Sequence, residues 1–505
     1  MGGRAGSVEQ IPIKHRAKSR QWSFRVAALG LVCIPFLAAE FLLALFDPSW
    51  ARQEEDPLVG FSETKPLFEI DQQANIYRIR QDRLRAFVQN GFPATKHPDT
   101  FRIFCLGGST VQGRPYSIET SFTTWLRLSL EAAHPNLNIE VINCGGVSYA
   151  SYRLTPILRE CLQLEPDLIL LCSGNNEFLE DRSYAFTKKT MPILDPAFQI
   201  LSHSRIVRCA MAIGSRWAHK NTRQATLGPE VDAMLDYERG IERYHRNDSW
   251  RQSVEEHFRI NIQNMIRTCR RAKVPIMLLS PCVNLKDSPP FKSQHQTNLN
   301  AFQRTQWKKC LTEASVEIQK GNLMEAFALL QQALQQDPKH AMTWYQAGKL
   351  LYQSGKFQQA EKYFEKALEE DICPLRIRSN MRTMLSGLAQ MENIPFYDMH
   401  ETATKMTPTG ITGNEFLVDH VHPSITGHQI IGKELAVQIQ TRWLNEETVE
   451  IPSEILQQRF QDYLKTLPDH YFANGLQRLQ NLQAWTQGRA DGAPIESLPK
   501  PEQGL

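Results

Sequence analysis

The sequence predicts an α/β fold of the flavodoxin-like type, with helices on both faces of a parallel sheet. Short apolar runs recur along the chain, each run ends in glycine or polar residues, and helical stretches separate the runs. Strands that are apolar throughout are buried on both faces, and parallel strands need a crossover between them. We therefore expect the loops that follow the strands to meet at one edge of the sheet.

Five stretches carry this pattern of an apolar run and a following turn. In chain order they are FRIFCLGGST at 101–110, IEVINCGG at 139–146, PDLILLCSGNNEF at 166–178, VPIMLLSPCVN at 274–284 and NIPFYDMHET at 393–402. Helical stretches such as EEHFRINIQNMIRTCRRA lie between them. The alternation is typical of repeated βα units.

Composition and charge narrow the function classes. Of the 505 residues, 42% are hydrophobic and 22% are charged, which is typical of a folded globular protein. The formal net charge of +3 is too small to indicate a nucleic-acid surface. The sequence contains no P-loop, no GxGxxG and no CxxC pair, so it predicts no bound nucleotide, metal or other cofactor.

One apolar segment near the N-terminus is long enough to cross a membrane. Residues 26–46 read VAALGLVCIPFLAAEFLLALF, and as a helix they would cover a hydrocarbon core of about 30 Å. Basic residues dominate before this segment and acidic residues after it, which predicts a cytoplasmic N-terminus and an extracytoplasmic remainder. A cleaved signal peptide and a buried soluble helix are the alternatives to this single-pass anchor.

The pattern of composition divides the chain into seven parts. We expect a basic cytoplasmic segment at 1–25, a transmembrane helix at 26–46, a juxtamembrane connector at 47–98, the first part of the α/β domain at 99–306, helical repeats at 307–375, the second part of the domain at 376–445, and a helical segment with a tail at 446–505.

The helical insertion contains two copies of a repeat. The second copy has the spacings of a tetratricopeptide repeat, with its marker residues at Trp344, Gly348, Gly355, Ala360, Phe364 and Ala367. Thirty-four residues upstream, the equivalent positions hold Gly321, Ala326, Leu330 and Ala333. Two copies are fewer than a free-standing solenoid needs, so we expect them to lean on the main domain or on a protein partner. An ordinary helical hairpin is the alternative.

Two distant segments together predict a nucleophilic serine. Ser109 follows two glycines after the first strand, where a sharp turn exposes a hydroxyl, although a plain turn with a helix cap has the same pattern. In VDHVHPSITGH, Asp419 can fix the tautomer of His422 and leave its other ring nitrogen for the serine. His420 and His428 lie in the same segment, so a metal cluster is the competing interpretation, which lacks a further ligand of matched spacing.

The loop GNNEF adds an amide donor at the end of the third strand, although a capping asparagine is common there too. The segments GGST, NCGGVSYASYR, GNNE and DHVH stand in this order along the chain. Together they resemble the four blocks of the SGNH/GDSL hydrolase family. The resemblance covers about 99–300 and 376–440 and implies a serine esterase or acyltransferase with the SGNH hydrolase fold.

The resemblance also implies a role for each matching residue. Ser109 would be the nucleophile, Asp419 the carboxylate that orients the histidine, and His422 the general base. Gly108 departs from the family pattern, because the family name has aspartate at this position.

An oxyanion hole is the other implied feature. Its donors would be Ser109, the amide of Asn176, and a backbone N–H of the second block, for which Gly146 and Ser148 both remain open. Glu177 replaces the more frequent aspartate of the third block.

Three functions remain open at this stage. The first is hydrolysis of an ester, an O-acyl or O-acetyl bond, on an envelope or extracellular glycan. The second is acyl transfer to a sugar hydroxyl by the same triad, and the third is an inactive scaffold that uses its repeats. If the protein has a protein partner, we expect the repeats to be its binding site. Small-ester hydrolysis should survive replacement of 307–374, because the triad comes from segments on either side.

Overall fold

The computed structural model describes residues 34–36, 38–42, 66–181, 231–236, 240–444 and 451–487. From residue 66 onward the strands are β1 (Phe68–Asp71), β2 (Ile76–Ile79), β3 (Gly91–Pro93), β4 (Thr100–Gly107), β5 (Asn138–Gly145), β6 (Leu168–Cys172), β7 (Ile276–Ser280) and β8 (Phe396–Asp398).

The α-helices of this part are α1 (Ser109–Gln112), α2 (Phe122–Ala133), α3 (Ser151–Cys161), α4 (Asp248–Ala272), α5 (Ala301–Gln319), α6 (Leu323–Gln336), α7 (Ala341–Gln353), α8 (Phe357–Glu370), α9 (Ser379–Glu392), α10 (Met399–Met406), α11 (Ile425–Trp443), α12 (Ser453–Thr466) and α13 (Asp469–Gln487).

The five strands β4 to β8 form the predicted parallel sheet. Their order is β5-β4-β6-β7-β8, and every neighbouring pair is parallel. Gly107 at the end of β4 lies opposite Gly145 of β5 and Cys172 of β6. The loops after these three strands therefore leave the sheet side by side, as expected for its carboxyl edge.

Alternate residues of β4 pack on opposite sides of the sheet. Ile103 and Cys105 belong to a buried apolar cluster that includes side chains of α2 and α11. On the same strand, the ring of Phe104 meets Phe68 and Phe92 edge-on, with centroids 6.3 and 5.4 Å apart. These two rings come from the antiparallel sheet β1-β2-β3, which forms within the expected connector and covers this side of β4.

Helices α5 to α8 form two helical hairpins in the predicted repeat segment. Equivalent residues of the two copies are buried, among them Ala326 and Ala360. Gly321 and Gly355 follow the first helix of each copy and have φ of 81° and 73°, a conformation that glycine adopts without strain. The thirty-four-residue pattern in the sequence therefore corresponds to a repeated structural unit.

The expected transmembrane helix is the part of the fold prediction that is wrong. Among the described residues, no helix is both long and apolar enough to cross a membrane. Of 26–46, the structure describes residues 34–36 and 38–42, which are helical. The other residues of that segment, and the basic segment 1–25, lie outside the described residues.

The contact between α2 and α11 depends on one glycine. A Cβ on Gly432 would lie 2.6 Å from the Trp125 Cβ and 2.7 Å from the Leu126 backbone nitrogen. We expect Gly432→Ala to lower the free energy of unfolding by about 1–3 kcal/mol, because the added methyl group forces the two helices apart.

The matched control is Gly387→Ala, in an exposed part of α9 where an added Cβ meets nothing within 4 Å. This variant should be more stable by about 0.5–1 kcal/mol, the usual gain for alanine over glycine within a helix. Urea unfolding measures both changes. Equal stability of the two variants would contradict the close packing of α2 on α11.

Candidate active site

Ser109 lies where the central strand gives way to a helix. β4 ends at Gly107, Gly108 is extended, and Ser109 begins the short helix α1. A Cβ on Gly107 would lie 2.3 Å from the side chain of Val111 and 2.4 Å from the carbonyl oxygen of Cys172. Only glycine fits there, because that carbonyl belongs to the neighbouring strand. The chain therefore turns at once and presents the serine hydroxyl at the edge of the sheet.

Two hydrogen bonds join the three residues of the predicted triad. Ser109 Oγ lies 2.7 Å from His422 Nε2, and His422 Nδ1 lies 2.6 Å from Asp419 Oδ2. The side chains of His422 and Asp419 are 6% and 3% exposed, whereas Ser109 is half-buried. The fold thus brings together a serine and a histidine that are 313 residues apart in the chain.

Asp419 is held as a carboxylate although it is buried. Its Oδ1 accepts hydrogen bonds from the backbone N–H groups of Val421 and His422, both at 2.8 Å. Burial by itself raises the pKa of this carboxyl. The interaction with His422, followed by smaller contributions from His420 and the Val421 N–H, outweighs that effect and holds the pKa of Asp419 well below its usual range. An ionised Asp419 can stabilise the imidazolium that forms when His422 takes a proton.

The other two histidines of the segment have separate partners. The ring of His420 packs edge-on against Phe291, with centroids 5.1 Å apart, and burial lowers the pKa of His420 to about 4. His428 Nδ1 accepts from the backbone N–H of Phe122 at 3.2 Å, and burial lowers the pKa of His428 to about 3. Both are therefore neutral at pH 7, and the competing interpretation of a metal cluster finds no shared centre among these described side chains.

The two asparagines of the third block have different partners. Asn176 Nδ2 donates to the carbonyl oxygen of Tyr149 at 3.0 Å, and a Cβ on Gly108 would lie 2.6 Å from that nitrogen. A side chain at position 108 would therefore have to displace this amide. Asn175 is buried and its Oδ1 accepts from the N–H of Ile377 at 2.9 Å. Only Asn176 lies against the turn that carries the serine.

Two backbone N–H groups of the loop after β5, those of Gly146 and Ser148, are the candidate oxyanion donors, and they differ in whether they are already hydrogen-bonded. The N–H of Gly146 donates to the carbonyl oxygen of Gly107 at 2.9 Å, so in this structure that donor is already in use. Ser148 has a left-handed φ of 62°, and within the described chain its N–H has no acceptor. The N–H of Ser109 is equally free of acceptors in that part of the chain.

Asn143 supports the turn and was not identified from the sequence. Its Nδ2 donates to the carbonyl oxygen of Val111 at 2.6 Å and to Thr123 Oγ1 at 2.9 Å, while its Oδ1 accepts from the N–H of Gly145 at 2.9 Å. These bonds tie the helix that begins at Ser109 to strand β5. The one sequence signal was a polar residue within an otherwise apolar strand.

Glu177 supports the loop after β6. Its carboxylate accepts from the N–H and hydroxyl of Ser151 at 2.9 and 2.8 Å, and from the hydroxyl of Ser173 at 3.2 Å. Glu177 therefore satisfies donors at the first turn of α3, where a negative charge is favourable. The carboxylate is only 1% exposed, which assigns it to structure and not to contact with a ligand.

The arrangement has the parts that acyl transfer requires. His422 can take the proton of the Ser109 hydroxyl, and Asp419 can stabilise the charge that results. The N–H groups of Ser109 and Ser148 and the amide of Asn176 are available to a developing oxyanion. These groups suit attack on a carbonyl carbon.

Comparisons with known proteins identify the repeats and give neighbours for the fold. Residues 317–371 match the family model described as tetratricopeptide repeat. This match overlaps both copies of the repeat predicted from the sequence. No curated protein matches the chain.

The solved structures similar to this chain include a lipase/acylhydrolase, a GDSL-like lipase and an acetylxylan esterase. A lipase/acylhydrolase from Enterococcus faecalis is 13% identical, with 68% of this chain and 96% of that chain covered and a TM-score of 0.31. A GDSL-like lipase from Bacteroides thetaiotaomicron is 10% identical, with 69% and 92% covered and a TM-score of 0.30. An acetylxylan esterase from Geobacillus stearothermophilus is 11% identical, with 70% and 97% covered and a TM-score of 0.29. At these TM-scores the likenesses carry no argument about activity, which rests on the geometry of the site.

Proposed function

We propose that this protein is a serine hydrolase that cleaves O-acyl ester bonds through Ser109, His422 and Asp419. The observation that carries the proposal is the pair of short hydrogen bonds from Ser109 Oγ to His422 Nε2 and from His422 Nδ1 to Asp419 Oδ2, at 2.7 and 2.6 Å. A serine hydroxyl is a weak nucleophile unless an adjacent base takes its proton, and this geometry provides that base.

The reaction then proceeds in two halves. Ser109 Oγ attacks the ester carbonyl carbon as its proton passes to His422 Nε2, and the carbonyl oxygen becomes an oxyanion. Collapse of this intermediate expels the alcohol, which receives the proton from His422, and leaves an acyl group on Ser109. A water molecule gives a proton to His422 and attacks the acyl carbonyl carbon. Collapse of this second intermediate breaks the bond to Ser109 Oγ, which takes the proton back from His422, and releases the carboxylic acid.

The functions considered from the sequence differ in which molecule accepts the acyl group from Ser109. An O-acetylated glycan would supply a sugar hydroxyl as the leaving group. Transfer to a second sugar hydroxyl would use the same acyl-enzyme with an alcohol in place of water. A catalytically inactive scaffold would form no acyl-enzyme at all.

A hydrolysis screen tests the proposal. Short- and long-chain nitrophenyl esters and O-acetylated glycans are offered to the wild-type protein, with an alcohol acceptor present in parallel reactions. We expect release of nitrophenol or acetate that Ser109→Ala abolishes while the thermal midpoint of unfolding stays unchanged. Turnover that persists undiminished in Ser109→Ala would contradict the assignment. Product formation only with the acceptor present would favour the transferase.

The two adjacent asparagines give a paired prediction. Asn176→Ala should lower kcat about 10²–10³-fold, the usual loss for one oxyanion donor. Asn175→Ala should change kcat much less and instead lower the free energy of unfolding by about 1–3 kcal/mol, because the buried N–H of Ile377 loses its acceptor. Steady-state kinetics and urea unfolding of both variants measure this. A larger kinetic loss for Asn175→Ala would show that the oxyanion donor is wrongly assigned.

A further inference from the structure

The loop after β7 lies between the inserted repeats and the segment that carries Asp419. It runs from residue 281 to residue 292 and is buried along most of its length. Its first contact is with the triad segment, and the residue that makes this contact is Asn284, which is 1% exposed.

Asn284 makes three hydrogen bonds to that segment and one within its own loop. Its Nδ2 donates to the carbonyl oxygen of Asp419 at 3.0 Å and to Asn414 Oδ1 at 2.8 Å. Its backbone N–H donates to the carbonyl oxygen of His420 at 3.0 Å, and its Oδ1 accepts from the N–H of Asp287 at 3.0 Å. Asn284 therefore binds two consecutive backbone carbonyl oxygens, those of Asp419 and His420.

Arg376 holds Asn284 from the other direction. This buried residue follows the last repeat helix, and its Nη1 donates to the carbonyl oxygens of Asn284 and Ser288 at 2.8 and 2.7 Å. Its Nη2 lies 3.6 Å from Asp371 Oδ2. The guanidinium also lies over the ring of Phe291, the residue that packs on His420. One side chain thus joins the end of the repeats to the loop that contacts the triad.

The repeat segment contacts the same loop in two further places. At the end of α8, Asp371 accepts hydrogen bonds from the N–H groups of Phe291 and Lys292 at 2.8 and 3.0 Å. On α7, the hydroxyl of Tyr345 donates to the carbonyl oxygen of Lys286 at 2.8 Å. The repeats therefore lean on the main domain at this loop, which was one of the two alternatives left open by their small number.

We infer that Asn284 is a positioning residue for the Asp419–His422 pair, and that Arg376 couples this position to the inserted repeats. The inference rests on the proposed esterase function. Asn284 touches no reacting atom and acts through the backbone of Asp419. Replacement of 307–374 would remove Asp371 and Tyr345, which hold this loop beside Arg376. We therefore expect that replacement to lower small-ester hydrolysis, contrary to the expectation from the sequence.

The test uses the full chain with two conservative variants. Asn284→Asp keeps the size of the side chain and the acceptor for the Asp287 N–H, but it replaces the donor to the Asp419 carbonyl with a second acceptor. Arg376→Lys keeps the charge and loses the forked pair of donors. Each is compared with Asn380→Ala, which removes an exposed amide that donates to Glu255 in a separate contact.

Two rates are measured for each protein: ester turnover, and labelling of Ser109 by a fluorophosphonate. We expect Asn284→Asp to lose about tenfold to a hundredfold in kcat and in labelling rate, the scale of loss when a reacting group is misplaced. KM should change by less than about twofold, because no group that binds the ester is altered, and Asn380→Ala should match the wild type. The double variant should lose less than the product of the two single losses, because both substitutions break one chain of contacts.

A folded Asn284→Asp protein with wild-type kcat and labelling rate would overturn the inference. A double variant whose fold-loss in rate equals the product of the losses in Asn284→Asp and Arg376→Lys would overturn it too. If Asn284→Asp does not fold, Arg376→Lys measures the same coupling with Asn284 in place. Failure of the esterase function can be told apart from failure of this inference. A wild-type protein that is labelled but cleaves no ester still gives the ratio of the labelling rates of Asn284→Asp and the wild type. That ratio then supports or overturns the role of Asn284 by itself.

Discussion

The hydrogen bond between His422 Nδ1 and Asp419 Oδ2 is the interaction on which the site depends. A carboxylate that is 3% exposed is costly unless charge and hydrogen bonds compensate its loss of water. Here the compensation comes from the ring of His422 and from two backbone N–H groups of the same turn. Because Nδ1 is committed to Asp419, Nε2 is the nitrogen that faces Ser109. The same bond therefore stabilises the buried carboxylate and fixes which ring nitrogen receives the proton.

The parallel sheet supplies the other constraint, which is close approach at its carboxyl edge. Gly107 lies opposite Gly145 and Cys172, and a Cβ at Gly145 would lie 2.3 Å from the backbone nitrogen of Gln112. The helix that begins at Ser109 can lie over the strand ends only because Gly107 and Gly145 lack side chains. At these two positions glycine is required by packing against neighbouring backbone, not by backbone conformation.

The local motifs predicted much of the fold and of the candidate site. The apolar runs predicted the strands of the parallel sheet, and a thirty-four-residue period predicted the repeats. Ser109, Asn176, Asp419 and His422 were identified because each stands at a fixed distance from a strand end or from another motif residue.

The residues that the motifs missed act through contacts between distant segments. Asn284 and Arg376 are 92 residues apart, and nothing in their local sequence marks them as partners. The sequence left Gly146 and Ser148 both open as oxyanion donors, because it does not show that the Gly146 N–H already donates to the carbonyl oxygen of Gly107. The N-terminal apolar segment was judged from length and charge asymmetry, and among the described residues no helix meets the requirement for a span. The contacts of Asn284, Arg376 and Gly146 depend on which backbone groups are already hydrogen-bonded, and a single sequence does not record this.

The central claim is that His422, held by Asp419, activates Ser109. The most direct test is the rate and the site of covalent labelling by a fluorophosphonate, followed by peptide mass analysis. We predict that the probe adds to the peptide that contains Ser109, and that His422→Ala slows this addition by a factor of about a thousand or more. Ser253→Ala, which removes a half-buried serine hydroxyl of α4 that donates to Ser249, should have no effect. Labelling at another serine, or an unchanged rate in a folded His422→Ala protein, would contradict the claim.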